Sequence, residues 1–359
     1  MRILYLQKHY SYTPGEDTIS ALYVNPVAWS FWSVYDGHVG PQTAWHLGDR
    51  LLEKVSEALW NMFDKNEGFE VPGIYTVIKH VFLSIDDELV NKSAQKLLDE
   101  PEGSQIKTLA ASVLQEARSG SCALVSFYEA YARRLHVSVV GDSRAILGRR
   151  RKDEFGQTIY DVHVLSVDHT ADNPAEIARL TAAHPDEPHL FEGGRFLGWG
   201  ITRAFGSGAM KWGLELQSWM EKNCLGDKPR ATCQTPPYFT AEPEITTTDI
   251  QPGDFLIMGS DGLWDCLTNE EAVGLVGLWL QRNNSGVHKI HYTSANNETH
   301  YNRWGVKKQF VNVDSNVARH LARNALGGAD KDLNTALLST PAPRARHFRH
   351  VRLFKIAGC

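Results

Sequence analysis

Gly120-Ser121-Cys122-Ala123-Leu124-Val125-Ser126-Phe127, Leu135-His136-Val137-Ser138-Val139-Val140 and Ala145-Ile146-Leu147 decide the fold. Three short apolar runs, so closely spaced, read as strands joined in antiparallel hairpins. Gly141-Asp142-Ser143-Arg144 is the turn between the second and the third. Upstream, Phe31-Trp32-Ser33-Val34-Tyr35 reads as another buried strand. Residues 41–63 follow as a helix, with Ala44, Leu47, Leu51, Val55 and Leu59 at steps of three and four and Pro41 in its first turn. Residues 72–98 are helical again, whereas Ser104 to Glu116 gives no clear signal.

Downstream, Asn173-Pro174 opens a helix and Phe255-Leu256-Ile257-Met258 is a strand. Asn269 is a cap for a helix through Leu280, and Val317 to Asn324 forms a last helix ending near Gly327-Gly328. The stretch 212–238 is polar, contains prolines and reads as an irregular insertion, and 281–310 reads as a surface loop. Strands in hairpins and helices in pairs imply an α+β layering rather than a doubly wound parallel sheet. No linker divides the chain, so residues 1–359 are expected to form one domain.

With 359 residues, 42% of them hydrophobic, the chain can bury a sizeable core. A net charge of −5 argues against a nucleic-acid partner. The five cysteines, Cys122, Cys224, Cys233, Cys266 and Cys359, are scattered and form no CxxC pair. That pattern is neither a disulfide framework nor a zinc site, and it fits a reducing compartment. No run approaches the roughly 18 apolar residues of a membrane helix. The segment Met1 to Lys8 is too short for the apolar core of a signal peptide.

Two acidic turns carry the chemistry. Asp36-Gly37-His38-Val39-Gly40 follows the strand at 31–35, and Ser260-Asp261-Gly262-Leu263-Trp264-Asp265 follows the strand at 255–258. Each delivers a carboxylate at the C-terminal end of a buried strand, and the Gly after each Asp permits a sharp turn and a close approach. Two carboxylates from distant parts of the chain are what a hard divalent cation needs.

Together with Glu16-Asp17, Ser119-Gly120-Ser121, Gly141-Asp142-Ser143-Arg144, Asp168-His169-Thr170 and Thr202-Arg203-Ala204-Phe205-Gly206, these turns make seven ordered motifs. In that order they resemble the metal-dependent type 2C serine/threonine protein phosphatases. Asp172-Asn173-Pro174-Ala175-Glu176, Pro236 to Glu244 and Asn324-Ala325-Leu326-Gly327-Gly328 resemble the pyruvate dehydrogenase phosphatase branch, which works in the mitochondrial matrix. A cytoplasmic location is the alternative.

The resemblance implies a central β-sandwich flanked by helix pairs, with two magnesium or manganese ions at one end. Asp36 would bridge the ions, the Gly37 carbonyl would complete one site and Asp261 would bind the second ion. Glu16 and Asp17 would hold water around the metals, and Asp142 would serve a weaker third ion. Paired cations acidify water and neutralise phosphoryl charge, while His38 is placed to protonate the departing Ser or Thr oxygen. The substrate would be a phosphoprotein, with the E1 subunit of pyruvate dehydrogenase favoured. Asp168-His169 reads as ordering a loop, and Arg144 and Arg203 as partners of core carboxylates rather than of phosphate.

Three departures stand against the family pattern. The usual acid of the last segment is absent from Arg346-His347-Phe348-Arg349-His350-Val351-Arg352-Leu353-Phe354, where His350 lies near its slot. Imidazole is a poor magnesium ligand, so the second ion should bind weakly. The basic end at 345–359 reads as alternatively spliced or out of frame, with loss of the final inner strand and of stability and activity. Ser207 replaces the acid after Ala-Phe-Gly, and Tyr12 replaces a phosphate-holding Arg or Asn. A catalytically weak pseudophosphatase acting as a binding module is therefore the alternative; a metal-dependent phosphodiesterase or nuclease is a third reading, which needs a basic groove that the composition does not suggest.

Overall fold

The computed structural model describes residues 3–4, 15–65, 69–101, 104–285, 290–293, 299–341 and 354–358. Ten strands build two antiparallel sheets: β1 (Ile3–Leu4), β2 (Thr18–Val24), β3 (Trp29–Tyr35), β4 (Ala123–Glu129), β5 (Arg134–Val140), β6 (Arg144–Lys152), β7 (Thr158–Val164), β8 (Glu244–Asp249), β9 (Phe255–Gly259) and β10 (Phe354–Gly358). One sheet runs β8-β5-β4-β3-β2 and the other β1-β10-β9-β6-β7. The hairpins at 120–147 thus switch sheets at the Gly141 turn, because β5 belongs to the first sheet and β6 to the second.

Strand alternation explains the layers. On the inner faces Trp32, Val34, Leu124, Val137, Val139, Ala145, Leu147, Leu256 and Met258 pack into one cluster between the sheets. The other parity of β3 and β4, with Phe31, Tyr35, Ala123, Val125 and Phe127, turns outward onto the helices α1 (Gln42–Asp64) and α2 (Val71–Asp87). In the second sheet Ile146, Phe255 and Ile257 turn outward onto α3 (Asn269–Ser285) and α4 (Val317–Ala325). The result is the expected α+β sandwich, with helices on both faces. Each large apolar side chain so buried contributes roughly 1.5–3 kcal/mol.

Ala44, Leu47, Leu51, Val55 and Leu59 all lie on the buried face of α1, as their spacing predicts. The helical stretch at 72–98 is interrupted by a π-turn at Glu88–Lys92. The indole N–H of buried Trp212 donates to the Val90 carbonyl there, at 3.1 Å.

The structure differs from the sequence reading in four places. Residues 212–238 are not irregular throughout: Leu214–Asn223 is a helix, held because Met220 and the following Cys224 reach the helix-side core. Residues 281–310 are not one surface loop: α3 runs on to Ser285, Ile290–Thr293 pairs with Gln309–Asn312, and Tyr301 is buried. The cap of α3 is Thr268 rather than Asn269. Its hydroxyl accepts the Glu271 N–H at 3.2 Å while the Glu271 carboxylate accepts the Thr268 N–H at 2.9 Å, a reciprocal capping box. The final strand is not lost: β10 pairs with β9 from Phe354↔Gly259 to Gly358↔Phe255, because Phe354, Ile356 and Ala357 still give the segment strand-forming apolar residues beside the edge of β9. Tyr12 and His350 lie outside the described residues.

Candidate active site at one end of the sandwich

Register brings the acidic turns together. Gly259 pairs with Arg144, so the Gly141-Asp142-Ser143 turn lies beside Ser260-Asp261. At the end of β3 the Asp36 carbonyl accepts the Cys122 N–H at 2.9 Å, and the Cys122 thiol donates to Asp142 Oδ1 at 3.2 Å. Gly37-His38 then pairs with Gly120-Ser121. Two distant Asp-Gly turns thereby flank the turn that carries Asp142.

The charges feel one another. Burial first, and then the negative charge of Asp261, push the Asp142 carboxyl up to about 7. Burial, Asp142 and Asp36 push the Cys122 thiol well up. Asp265 is raised by burial and by Asp261. A cluster of hard oxygen donors whose like charges disfavour ionisation fits a divalent cation, which would relieve that repulsion.

Glu16 and Asp17 stand beside this cluster. A Cβ on Gly37 would lie 2.2 Å from the Glu16 carbonyl oxygen, so only glycine permits this approach. Glu16 Oε1 accepts the Gly40 N–H at 3.1 Å, and Asp17 is buried. Asp36, Asp142 and Asp261 share one field, yet they do not close into a set of three ligands within 4.8 Å. Among the described residues that compactness belongs to His169, Glu176 and Glu244. Glu176 there is already saturated by Arg203, Arg179 and the Thr202 hydroxyl, at 2.6, 2.7 and 2.6 Å. Burial raises the Glu176 carboxyl, but these donors outweigh burial and hold it far below the usual carboxylate range. This cluster is an ion-pair core, not a cation site.

The arginines and Asp168 behave as the sequence implied. Arg203 binds Glu176, and Arg144 binds Asp168 at 2.5 Å while also reaching Asn269 at 3.0 Å.

His38 Nε2 lies 3.0 Å from the Ser207 hydroxyl, and its ring meets Trp199 edge to face at 5.7 Å. Arg230 lies over the Trp199 ring, 5.4 Å from its centre. The Phe205-Gly206 strand that leads to Ser207 pairs with Gly120-Ser121. It is anchored by Asp86, which accepts the Gly206 N–H at 2.9 Å and binds Lys211 at 2.6 Å. Sequence reading missed Cys122, Asp86, Lys211 and Trp199 as neighbours of the site, since none belongs to a motif. It singled out Ser207 only as a missing acid.

The sequence pattern of the family described as protein phosphatase 2C matches residues 16–300. A protein phosphatase 2C homolog of Schizosaccharomyces pombe is 35% identical over 331 residues, covering 89% of this chain and 71% of that protein. The mitochondrial pyruvate dehydrogenase [acetyl-transferring]-phosphatase 1 of Saccharomyces cerevisiae is 35% identical over 352 residues, covering 89% of this chain and 60% of the relative. Its human counterpart of the same name is 33% identical over 262 residues, covering 66% and 47%. This chain thus spans three-fifths and about half of these two mitochondrial relatives. A crystal structure of serine-threonine phosphatase 2C from Toxoplasma gondii shares the fold, with a TM-score of 0.54 over 96% of this chain and 89% of that one, at 16% identity.

Proposed function

This chain belongs to the protein phosphatase 2C family, and from that premise we propose that it hydrolyses phosphoserine and phosphothreonine in proteins with two magnesium or manganese ions. The observation that carries the proposal is the convergence of Asp36, Asp142 and Asp261 in one negative field at the end of the sandwich. Asp36, the Gly37 carbonyl and Asp261 would hold the two ions, with Glu16 and Asp17 around them and Asp142 facing a third. Bound there, the ions would acidify water and neutralise the phosphoryl oxygens.

The residues of the chain supply the rest. Buried Asp36 keeps its position through the Cys122 N–H. His38 gives a proton to the departing Ser or Thr oxygen as the P–O bond breaks, and regains one from the water whose oxygen ends on phosphorus. Trp199 walls one side of that imidazole. The whole acts as one catalytic domain.

The names of the yeast and human relatives support pyruvate dehydrogenase as the phosphoprotein and the mitochondrial matrix as its location. No helix among the described residues is long and apolar enough to cross a membrane. A pseudophosphatase is the second reading, favoured by the absence of an acid from Arg346 to Phe354.

Phosphate release from a phosphothreonine peptide, with manganese and with a chelator, tests the proposal on wild type and Asp36→Ala. Release that needs metal and disappears in the variant is expected. A folded wild-type chain that binds the peptide and releases nothing would replace the proposal by the second reading.

A further inference from the structure

Ser207 adopts a left-handed backbone conformation, φ 50° and ψ 47°, which a residue with a Cβ rarely takes. Such a conformation persists only where the surroundings over-determine it, and it clusters at functional positions. Here the surroundings are plain. The Ser207 N–H donates to the Ser119 carbonyl at 2.7 Å, the side chain is buried, and the preceding Gly206 is tied to Asp86. The product of these constraints is the 3.0 Å contact between the Ser207 hydroxyl and His38 Nε2.

Gly120 forms the roof over that contact. A Cβ there would lie 2.1 Å from Ser207 Oγ and 2.2 Å from His38 Nε2. Gly120 above and Trp199 edge-on at 5.7 Å bound the imidazole on two sides, and the Ser207 hydroxyl faces its Nε2.

We propose that Ser207 is a positioning residue that sets the orientation of the His38 imidazole for protonation of the departing alcohol. The assignment rests on the phosphatase reading above. It gives a role to the position at which the acid of the family pattern is replaced. Serine can serve because its hydroxyl both donates and accepts, and so holds the ring in either tautomer.

The test exploits the leaving group. An alkyl phosphate, such as a phosphothreonine peptide, needs a proton on its departing oxygen. An aryl phosphate, such as p-nitrophenyl phosphate, releases a stable phenolate and needs none. Ser207→Ala and Ser207→Gly both remove the hydroxyl, but only glycine also relieves the left-handed backbone. Wild type and both variants are assayed with manganese on both substrates, together with thermal unfolding and the imidazole 15N signals of His38 in metal-free protein.

The peptide-to-aryl ratio of kcat is expected to fall at least about tenfold in both variants, with KM for the peptide little changed. The His38 15N signals should shift in both, while Ser207→Gly unfolds at a higher temperature than Ser207→Ala. An unchanged ratio, or activities that follow the unfolding temperatures, would overturn the assignment and leave the phosphatase reading standing. No release by wild type from either substrate would remove the reading and the assignment together.

Discussion

His320 should remain uncharged in the folded chain well into the acid range, and the protein should lose stability for that reason below neutral pH. The ring is fully buried on α4. Its Nε2 lies 3.1 Å from the Leu275 carbonyl, which can only accept, so Nε2 carries the hydrogen. Nδ1 is then the acceptor, and the Asn324 amide sits 3.3 Å from it. Asn324 cannot turn its oxygen to a second N–H, because its amide also donates to the Val311 carbonyl at 2.9 Å and its oxygen accepts the Val311 N–H at 2.8 Å. Burial pushes the imidazole down to about 4, with Asp314 opposing and Arg282 and Arg323 reinforcing.

The folded value lies below the unfolded one, so the unfolded chain takes up the proton first. The stability is complete above about pH 6.5 and is lost as pH falls towards the folded value. A shift from 6.5 to about 4 corresponds to about 3 kcal/mol in full. About 1.4 kcal/mol of it should be gone by about pH 5.5 and about 2.5 kcal/mol by about pH 4.5. Urea denaturation of metal-free protein across this range, on wild type and His320→Gln, should give a steeper fall for wild type by these amounts. The C2–H signal of His320 should stay in its neutral position down to about pH 5. A His320 that titrates near 6.5 while the chain remains folded would refute the argument, because the Asn324 lock would then not hold.

Lys211→Met should cost about 3–5 kcal/mol in denaturation, since it leaves the Asp86 carboxylate buried without its cation, and Asp86→Leu combined with it should recover part of that loss. The pair is buried, with side-chain exposures of 8% and 11%, and burial moves both groups towards neutrality, Asp86 up and Lys211 down. Glu176→Gln should flatten the acid-side loss of stability. The folded pKa of Glu176 is depressed, so its contribution is present above the unfolded value of 4.5 and is lost as pH falls below it; equal acid slopes for variant and wild type would contradict this. Leu124→Ala, at a fully buried position between the sheets, should cost about 2–5 kcal/mol by denaturant midpoint, and a loss under about 1 kcal/mol would mean the sandwich does not pack there.

The α+β class, the buried strands at 31–35 and 255–258 and the buried stripe of α1 were legible in the sequence because local periodicity reports which face of an element is covered. So were the acidic turns, since strand ends followed by Asp-Gly carry their own signal in residue type. The caps show where local reading stops: Asn269 is an acceptable cap by type, but Thr268 has its partner three residues on, and Asn269 is drawn to Arg144 instead. The tail was misread for a related reason. Its basic residues suggested a lost strand, while strand formation at 354–358 needs, besides the apolar Phe354, Ile356 and Ala357, the edge of β9 to pair with, which is a feature of the sheet.

Only the tertiary structure decided which charges meet. Register across β6 and β9 sets Asp142 beside Asp261, and one backbone hydrogen bond sets Asp36 beside Cys122; neither is written in the spacing of the motifs. Arg203 and Glu176 are 27 residues apart and His38 and Ser207 169 apart, and both pairings are made only by the packing of distant segments against one another. Residue types thus fixed the chemistry available to this chain, because side-chain chemistry is local. Chain packing fixed which groups share a field, because electrostatic and hydrogen-bond partners are chosen by distance in space.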